Sequence, residues 1–186
     1  VAAHSIQFDD SPLARLLVVL ALCAALLASA AGIPPLQLPL GVEIAGGVLF
    51  PLAVLAGTWW INLFNFMDGT DGIASVQAIS MLLAAAGIAA WAAPGVTAEP
   101  VWIWILCLAG ASCGFLAHNW PPARIFLGDV GSMYLGFMLF VCAVLTIQRG
   151  WLSYASWLIL AASFASDATL TLARDWGLKV SERRIA

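Results

Sequence analysis

The chain has 186 residues, of which 63% are hydrophobic and only 9% carry a charge. Soluble globular domains have roughly 25% charged residues, so the composition excludes that class. The net charge of −3 and the absence of a basic cluster in the sequence argue against a nucleic-acid-binding protein. The composition predicts an integral membrane protein.

Six apolar segments reach the roughly 17–25 residues that a transmembrane helix needs. We therefore predict an all-α, polytopic membrane protein with about six transmembrane helices. The predicted spans lie near residues 13–32, 42–61, 73–93, 100–119, 131–148 and 151–173.

Aspartates precede the first span and occur again after the second and fourth spans. Because an even number of crossings separates these positions, we expect Asp9, Asp10, Asp68, Asp71 and Asp129 to share one face of the membrane. Six of the seven basic residues are predicted on that face, which the positive-inside rule makes cytoplasmic. These six are Arg15, Arg124, Arg174, Lys179, Arg183 and Arg184.

Four polar residues, Asn62, Asn65, Asp68 and Asp71, recur every three positions where the second span ends. On a helix, residues three apart are neighbours, so this spacing predicts four polar groups that face one crevice. The glycines that follow each aspartate allow the backbone to approach a ligand closely. The structural alternative is a polar helix end followed by an Asp-Gly turn.

A second acidic segment, Leu-Gly-Asp-Val-Gly-Ser at residues 127–132, opens the fifth span. The alternative to a functional role is that Asp129 caps the helix. In the functional interpretation, free backbone N–H groups at the helix start bind phosphate, and Asp129 holds the accompanying Mg²⁺. Arg124, on the same predicted face, supplies a cation for an anionic substrate or lipid head groups.

Adjacent acids at Asp9 and Asp10 would form a solvated turn if they stood alone. Converging with the other carboxylates, they would repel one another and require a counter-ion, which a divalent cation carrying a diphosphate would provide. All-oxygen ligands favour Mg²⁺ or Mn²⁺ over zinc. The sequence leaves the roles of His118 and Asp167 open.

These segments resemble the signatures of the polyprenyl-phosphate N-acetylhexosamine-1-phosphate transferases, a family that includes phospho-MurNAc-pentapeptide translocase. Residues 62–72 fit the family's Asn-x-x-Asn-x-x-Asp-Gly-x-Asp-Gly motif, and residues 126–132 fit aromatic-x-Gly-Asp-x-Gly-Ser. Asp9 and Asp10 match its first aspartate pair, and Asn119 matches the residue that precedes the second motif. The local wording most resembles the branch that initiates O-antigen in lipopolysaccharide biosynthesis.

The resemblance implies transfer of a sugar 1-phosphate from a UDP-sugar to undecaprenyl phosphate, releasing UMP at the cytoplasmic face of the bacterial inner membrane. It implies Mg²⁺ (or Mn²⁺) as cofactor, with Asp129 as its ligand. The implied catalytic residues are Asp9, Asp10, Asp68 and Asp129, with the first two near the lipid phosphate. The implied substrate-binding residues are Asn62, Asn65, Asp71, Asn119 and Arg124, with Asp71 near the nucleobase.

Family members carry further spans before the aspartate pair and a His-containing cytoplasmic motif after the last span. We therefore expect residues 1–186 to form one partial transmembrane transferase domain. Two other hypotheses are a catalytically inactive, truncated paralogue and a cation transporter. A transporter predicts acids near mid-span, where the sequence has only Asp167. The UDP-sugar, and whether the chain pairs as a homodimer, stay open.

Overall fold

The structure is a computed structural model that describes residues 12–29, 33–37 and 42–185. Six α-helices account for most of these residues, and two strands of two residues each pair in antiparallel fashion. The helices are α1 (Pro12–Ser29), α2 (Gly46–Met67), α3 (Ile73–Ala92), α4 (Pro100–Asn119), α5 (Gly128–Gln148) and α6 (Tyr154–Ile185). The strands are β1 (Leu36–Gln37) and β2 (Glu43–Ile44), and a 3-10 turn occupies Val96–Ala98.

Four helices are long and apolar enough to cross a membrane: α2, α3, α4 and α5. The first predicted span corresponds to a shorter apolar helix, Leu13–Ser29. The sixth lies in α6, which continues to Ile185 and is not among the four candidates found in the described residues. The prediction of an all-α, polytopic membrane protein is confirmed.

The chain divides into two compact units, residues 1–59 and residues 60–186, with the boundary inside α2. The first unit contains α1, the strand pair and the beginning of α2. Along α1, Val19, Cys23 and Leu27 are buried at a spacing of four residues, which places them on one helix face. In the strand pair, Leu36 lies opposite Ile44 and Gln37 opposite Glu43.

The second unit is built around α3, which packs against α4, α5 and α6. Its buried residues are mostly small, and small side chains allow helix backbones to approach closely in membranes. The buried positions of α3 are Ala74, Ser75, Ala78, Met81, Leu82, Ala85, Ala86 and Ala89. Two hydrogen bonds join α3 to its neighbours: Gln77 Nε2 donates to the Leu160 carbonyl at 3.1 Å, and Trp102 Nε1 donates to the Ala86 carbonyl at 3.0 Å.

The end of α2 packs on α5 and on an aromatic cluster. Gly136 of α5 lies so close to α2 that an added Cβ would come within 2.9 Å of the Phe64 Cβ. The rings of Trp60, Phe64 and Phe164 form the cluster, with centroids 4.8–6.0 Å apart. This packing fixes the last turns of α2, which lead directly into the first polar motif.

Candidate active site

Two connections meet at one end of the second unit. Residues 68–72 join α2 to α3, and residues 120–127 join α4 to α5. The Asp71 Oδ2 atom accepts a hydrogen bond from the Ala123 N–H at 3.0 Å, and Asn119 Oδ1 accepts one from the Gly72 N–H at 2.9 Å. The two motifs therefore lie on the same side of the helices, as the even number of crossings predicts.

Asp68 and Asp129 form an acid pair at this end. Asp68 directly follows the last residue of α2 and is partly buried, whereas Asp129 lies exposed in the first turn of α5. Desolvation raises the pKa of Asp68 to about 6, and repulsion from the Asp129 carboxylate contributes to the rise. The two carboxylates are thus close enough to interact, although 61 positions separate them in sequence.

One helical turn from the acid pair, α2 and α5 are joined by a side-chain hydrogen bond. Asn65 Nδ2 donates to Ser132 Oγ at 3.0 Å, and Ser132 is completely buried. The Ser132 hydroxyl also lies 3.0 Å from the Gly128 carbonyl oxygen and 3.2 Å from that of Asp129. The contact fixes Asn65, three residues before Asp68, against the turn of α5 that carries Asp129.

The expectation that four polar residues share one helix face is wrong beyond Met67, where α2 ends. Asn62 and Asn65 lie on α2, but Asp68 and Asp71 lie in the turn that follows, and Gly72 adopts φ +77°. That left-handed conformation reverses the chain into α3 and is easily adopted only by glycine. The turn directs Asp68 towards Asp129 and Asp71 towards the Ala123 amide.

Asn119 is buried, and its side chain bonds to backbone groups. Its side chain is 5% exposed, and both ends of the amide contact backbone: Oδ1 accepts from Gly72, and Nδ2 donates to the Ile125 carbonyl at 2.8 Å. Arg124 is exposed, with its backbone N–H bonded to the His118 carbonyl at 2.9 Å. His118 is also exposed.

One further expectation concerns the start of α5, and another concerns Asp9 and Asp10. The N-cap position of α5 is Leu127 and has no side-chain cap, so Asp129 is not the capping residue that the structural alternative required. It lies instead within the first turn, where the helix dipole favours a negative charge. Asp9 and Asp10 lie outside the described residues, and their role stays a prediction.

The donors of the acid pair are carboxylate oxygens, which suit a magnesium ion. Among residues 12–29, 33–37 and 42–185, no group of three or more His, Cys, Asp or Glu residues could hold a metal ion alone. Magnesium, however, is commonly bound by one or two carboxylates, with substrate phosphates and waters completing the octahedron. Asp68 and Asp129 fit that pattern, because both supply carboxylate oxygens and Asp129 is exposed.

Sequence reasoning missed the groups that hold the site together. Ser132 was recognised only as part of a motif, and the backbone amides of Gly72 and Ala123 were not considered. The signal for Ser132 was its position three residues after Asp129, which places both on neighbouring turns of one helix. The backbone amides leave no signal in the sequence.

The chain is similar in sequence to known proteins. The family model described as "Glycosyl transferase family 4" matches residues 9–147, which include both motifs. A phospho-N-acetylmuramoyl-pentapeptide-transferase of Heliobacterium modesticaldum is 35% identical over 153 residues, covering 81% of this chain and 44% of that protein. The protein of the same name from Chlamydia muridarum is 45% identical over 100 residues (52% and 28%), and that of Acaryochloris marina is 34% identical over 137 residues (73% and 36%). The chain thus spans less than half the length of these curated relatives.

Proposed function

Because the chain belongs to glycosyl transferase family 4, we propose that it transfers a sugar 1-phosphate from a UDP-sugar to undecaprenyl phosphate. The single observation that carries this proposal is the meeting of Asp68 and Asp129 at one end of apolar, membrane-length helices. A carboxylate pair beside a membrane suits a reaction that joins a water-soluble diphosphate to a lipid phosphate. We also propose that this end faces the cytoplasm of a bacterial inner membrane, where the positive-inside rule places it.

In the proposed reaction, an oxygen of the lipid phosphate bonds to the β-phosphorus of the UDP-sugar. The bond between that phosphorus and the bridging oxygen breaks, and UMP leaves with the oxygen. One phosphoanhydride replaces another, so the reaction should be readily reversible. Bound Mg²⁺ would neutralise the charge that develops on the transferred group.

The residues of the chain have distinct proposed tasks. Asp68 and Asp129 would hold the cation, and the N–H groups in the first turn of α5 would face a phosphate. Arg124, exposed on the adjoining loop, would attract the anionic donor or the lipid phosphate. Asn62 and Asn65 would border the nucleotide, and Asp9 and Asp10 would act near the lipid phosphate.

The donor is proposed to be of the N-acetylhexosamine class. The curated relatives are named for a phospho-N-acetylmuramoyl-pentapeptide group, whereas the wording of the two motifs favours the O-antigen-initiating branch. Parallel assays with UDP-N-acetylglucosamine and UDP-N-acetylmuramoyl-pentapeptide distinguish these donors.

The test is Mg²⁺-dependent exchange of labelled UMP into the UDP-sugar, measured in membranes that contain undecaprenyl phosphate. Asp129→Asn should lower the exchange rate by at least about 100-fold, because it removes a charged ligand of the cation. Glu99→Gln is the matched control, since Glu99 lies at the opposite end of α3 and α4 and should leave exchange unchanged. Exchange that survives Asp129→Asn, or that is absent with both donors, would contradict the proposal.

A further inference from the structure

A set of three hydrogen bonds, called here the loop clamp, joins the connection that contains Asp68 to the connection that leads into the α5 turn of Asp129. They run from Gly72 N–H to Asn119 Oδ1 (2.9 Å), from Asn119 Nδ2 to the Ile125 carbonyl (2.8 Å), and from Ala123 N–H to Asp71 Oδ2 (3.0 Å). Each bond pairs a side chain with a backbone group. Together they attach residues 68–72 to residues 120–127 at two points.

We propose that Asn119, supported by Asp71, is a positioning residue that sets the separation of Asp68 and Asp129. This inference rests on the proposed function for its purpose but not for its geometry. Asp68 lies three residues before Asp71, and Asp129 lies four residues after Ile125. Each carboxylate is therefore carried on a short segment that the loop clamp holds.

The environment of Asn119 supports a positioning role rather than contact with a ligand. Its side chain is 5% exposed, and both its acceptor and its donor are used by backbone groups. An amide is required, because the side chain must accept from one connection and donate to the other. Aspartate would retain the first bond and lose the second, and alanine would lose both.

The loop clamp also opposes the repulsion between the two carboxylates. Asp68 and Asp129 repel each other, and the segment before Asp129 contains Gly128 with φ +62° and no packing neighbour around its Cβ position. A glycine in open space moves readily, so the start of α5 is held by the Asn65–Ser132 hydrogen bond on one side and by the loop clamp through Ile125 on the other. Without the loop clamp, the separation of the two carboxylates would depend on the contact between α2 and α5, and it should become longer and more heterogeneous.

The experiment measures this distance directly. Spin labels are attached at Thr70→Cys and Val130→Cys, two exposed positions next to the carboxylates, in a chain whose four native cysteines are replaced by alanine. Dipolar broadening of the spectrum in detergent micelles reports the distance between the labels. Asn119→Ala and Asp71→Ala should reduce the broadening by at least half, whereas Asp71→Asn should preserve it because an amide oxygen still accepts from Ala123.

Ser112→Ala is the matched control for Asn119→Ala. Ser112 is a buried polar residue of the same helix, but its hydroxyl donates to the Leu108 carbonyl one turn away and, within the described residues, bonds to neither connection. It should leave both the broadening and exchange activity unchanged. In the exchange assay, Asn119→Ala should raise the Mg²⁺ concentration needed for half-maximal rate by about tenfold.

Unchanged broadening in Asn119→Ala would overturn the proposal, as would equal loss in Asp71→Asn and Asp71→Ala. Because the spectrum requires no turnover, a chain that lacks exchange activity but responds as expected refutes the proposed function alone. Exchange that depends on Asp129, combined with unchanged broadening in Asn119→Ala, refutes the positioning role alone.

Discussion

Asn65 on α2 donates a hydrogen bond to Ser132 on α5, one turn away from the residues that carry the candidate catalytic carboxylates. The bond crosses between two membrane-length helices at 3.0 Å, and Ser132 has no exposed surface. Together with the packing of Gly136 on Phe64, it holds the two helices together close to the site.

Replacement of either partner should therefore lower both stability and activity. We expect Asn65→Ala and Ser132→Ala each to reduce the free energy of unfolding by about 1 kcal/mol. A double-mutant cycle in detergent, followed by intrinsic tryptophan fluorescence, should give a coupling of about 0.5–1.5 kcal/mol. Strict additivity of the two substitutions would show that the bond does not contribute.

Cation binding should depend on pH through Asp68. Its pKa of about 6 means that the carboxyl holds a proton at pH 5 and has lost it at pH 7, and a cation must displace that proton. Mn²⁺ affinity, measured by electron paramagnetic resonance, should be about tenfold weaker at pH 5 than at pH 7 and should level off above pH 7.

Asp68→Asn should weaken Mn²⁺ binding and abolish this pH dependence, whereas Glu99→Gln should preserve it. A pH-independent Mn²⁺ affinity in the unsubstituted chain would contradict the assignment of Asp68 to the cation site.

The raised pKa of Asp68 also has a consequence for the stability of the fold. Since the pKa of Asp68 is raised above its ordinary value of 3.8, the folded state keeps a proton in a pH range where the unfolded state has already released it. The contribution of Asp68 to stability should therefore fall as the pH rises from about 4 to about 6.

Close packing of α2 on α5 predicts a large effect at Gly136. A Cβ at this position would lie 2.9 Å from the Phe64 Cβ and 3.3 Å from the Ile61 Cα, so one helix must shift. Gly136→Ala should cost about 1–3 kcal/mol in unfolding free energy. Gly114→Ala in α4 is the control, because no atom lies within 4 Å of the added Cβ; it should change stability by at most about 1 kcal/mol, in the stabilising direction. Equal effects in thermal denaturation would refute this packing.

At the other end of α5, a buried hydrogen bond links Trp157 Nε1 to Thr146 Oγ1 at 2.9 Å. Thr146→Val preserves the shape of the side chain but removes the acceptor, so it should cost about 1–3 kcal/mol by leaving the indole N–H unpaired. Trp157→Phe in the Thr146→Val background removes that unpaired donor and should cost less than it does in the unsubstituted chain. Thermal denaturation of the three variants checks this order.

The sequence predicted the apolar helices well because length and hydropathy decide them. The predicted span 100–119 has the same bounds as α4, and the predicted span 73–93 differs from Ile73–Ala92 by one position. The second span was predicted to end at residue 61, but α2 continues to Met67, and Asn65 within this extension bonds to Ser132 of α5. Hydropathy counts asparagine as unfavourable and cannot register a partner 67 positions away.

The candidate site was predictable in its residue types but not in its assembly. The motifs identified Asp68, Asp71 and Asp129, and the count of crossings placed them on one side. The different directions of Asp68 and Asp71 depend on a turn that begins at the end of α2, which a regular spacing of three did not reveal. The burial of Asn119 depends on contacts with backbone groups of residues 72 and 125, which carry no side-chain signature.

Ala123 and Ile125 contribute only main-chain atoms to the loop clamp. A saturation mutagenesis screen would therefore score both positions as permissive. Proline at position 123 is the exception, because proline lacks the N–H that donates a hydrogen bond to Asp71. Two of the groups that form the loop clamp are therefore main-chain atoms, and a method that ranks positions by residue identity does not detect them.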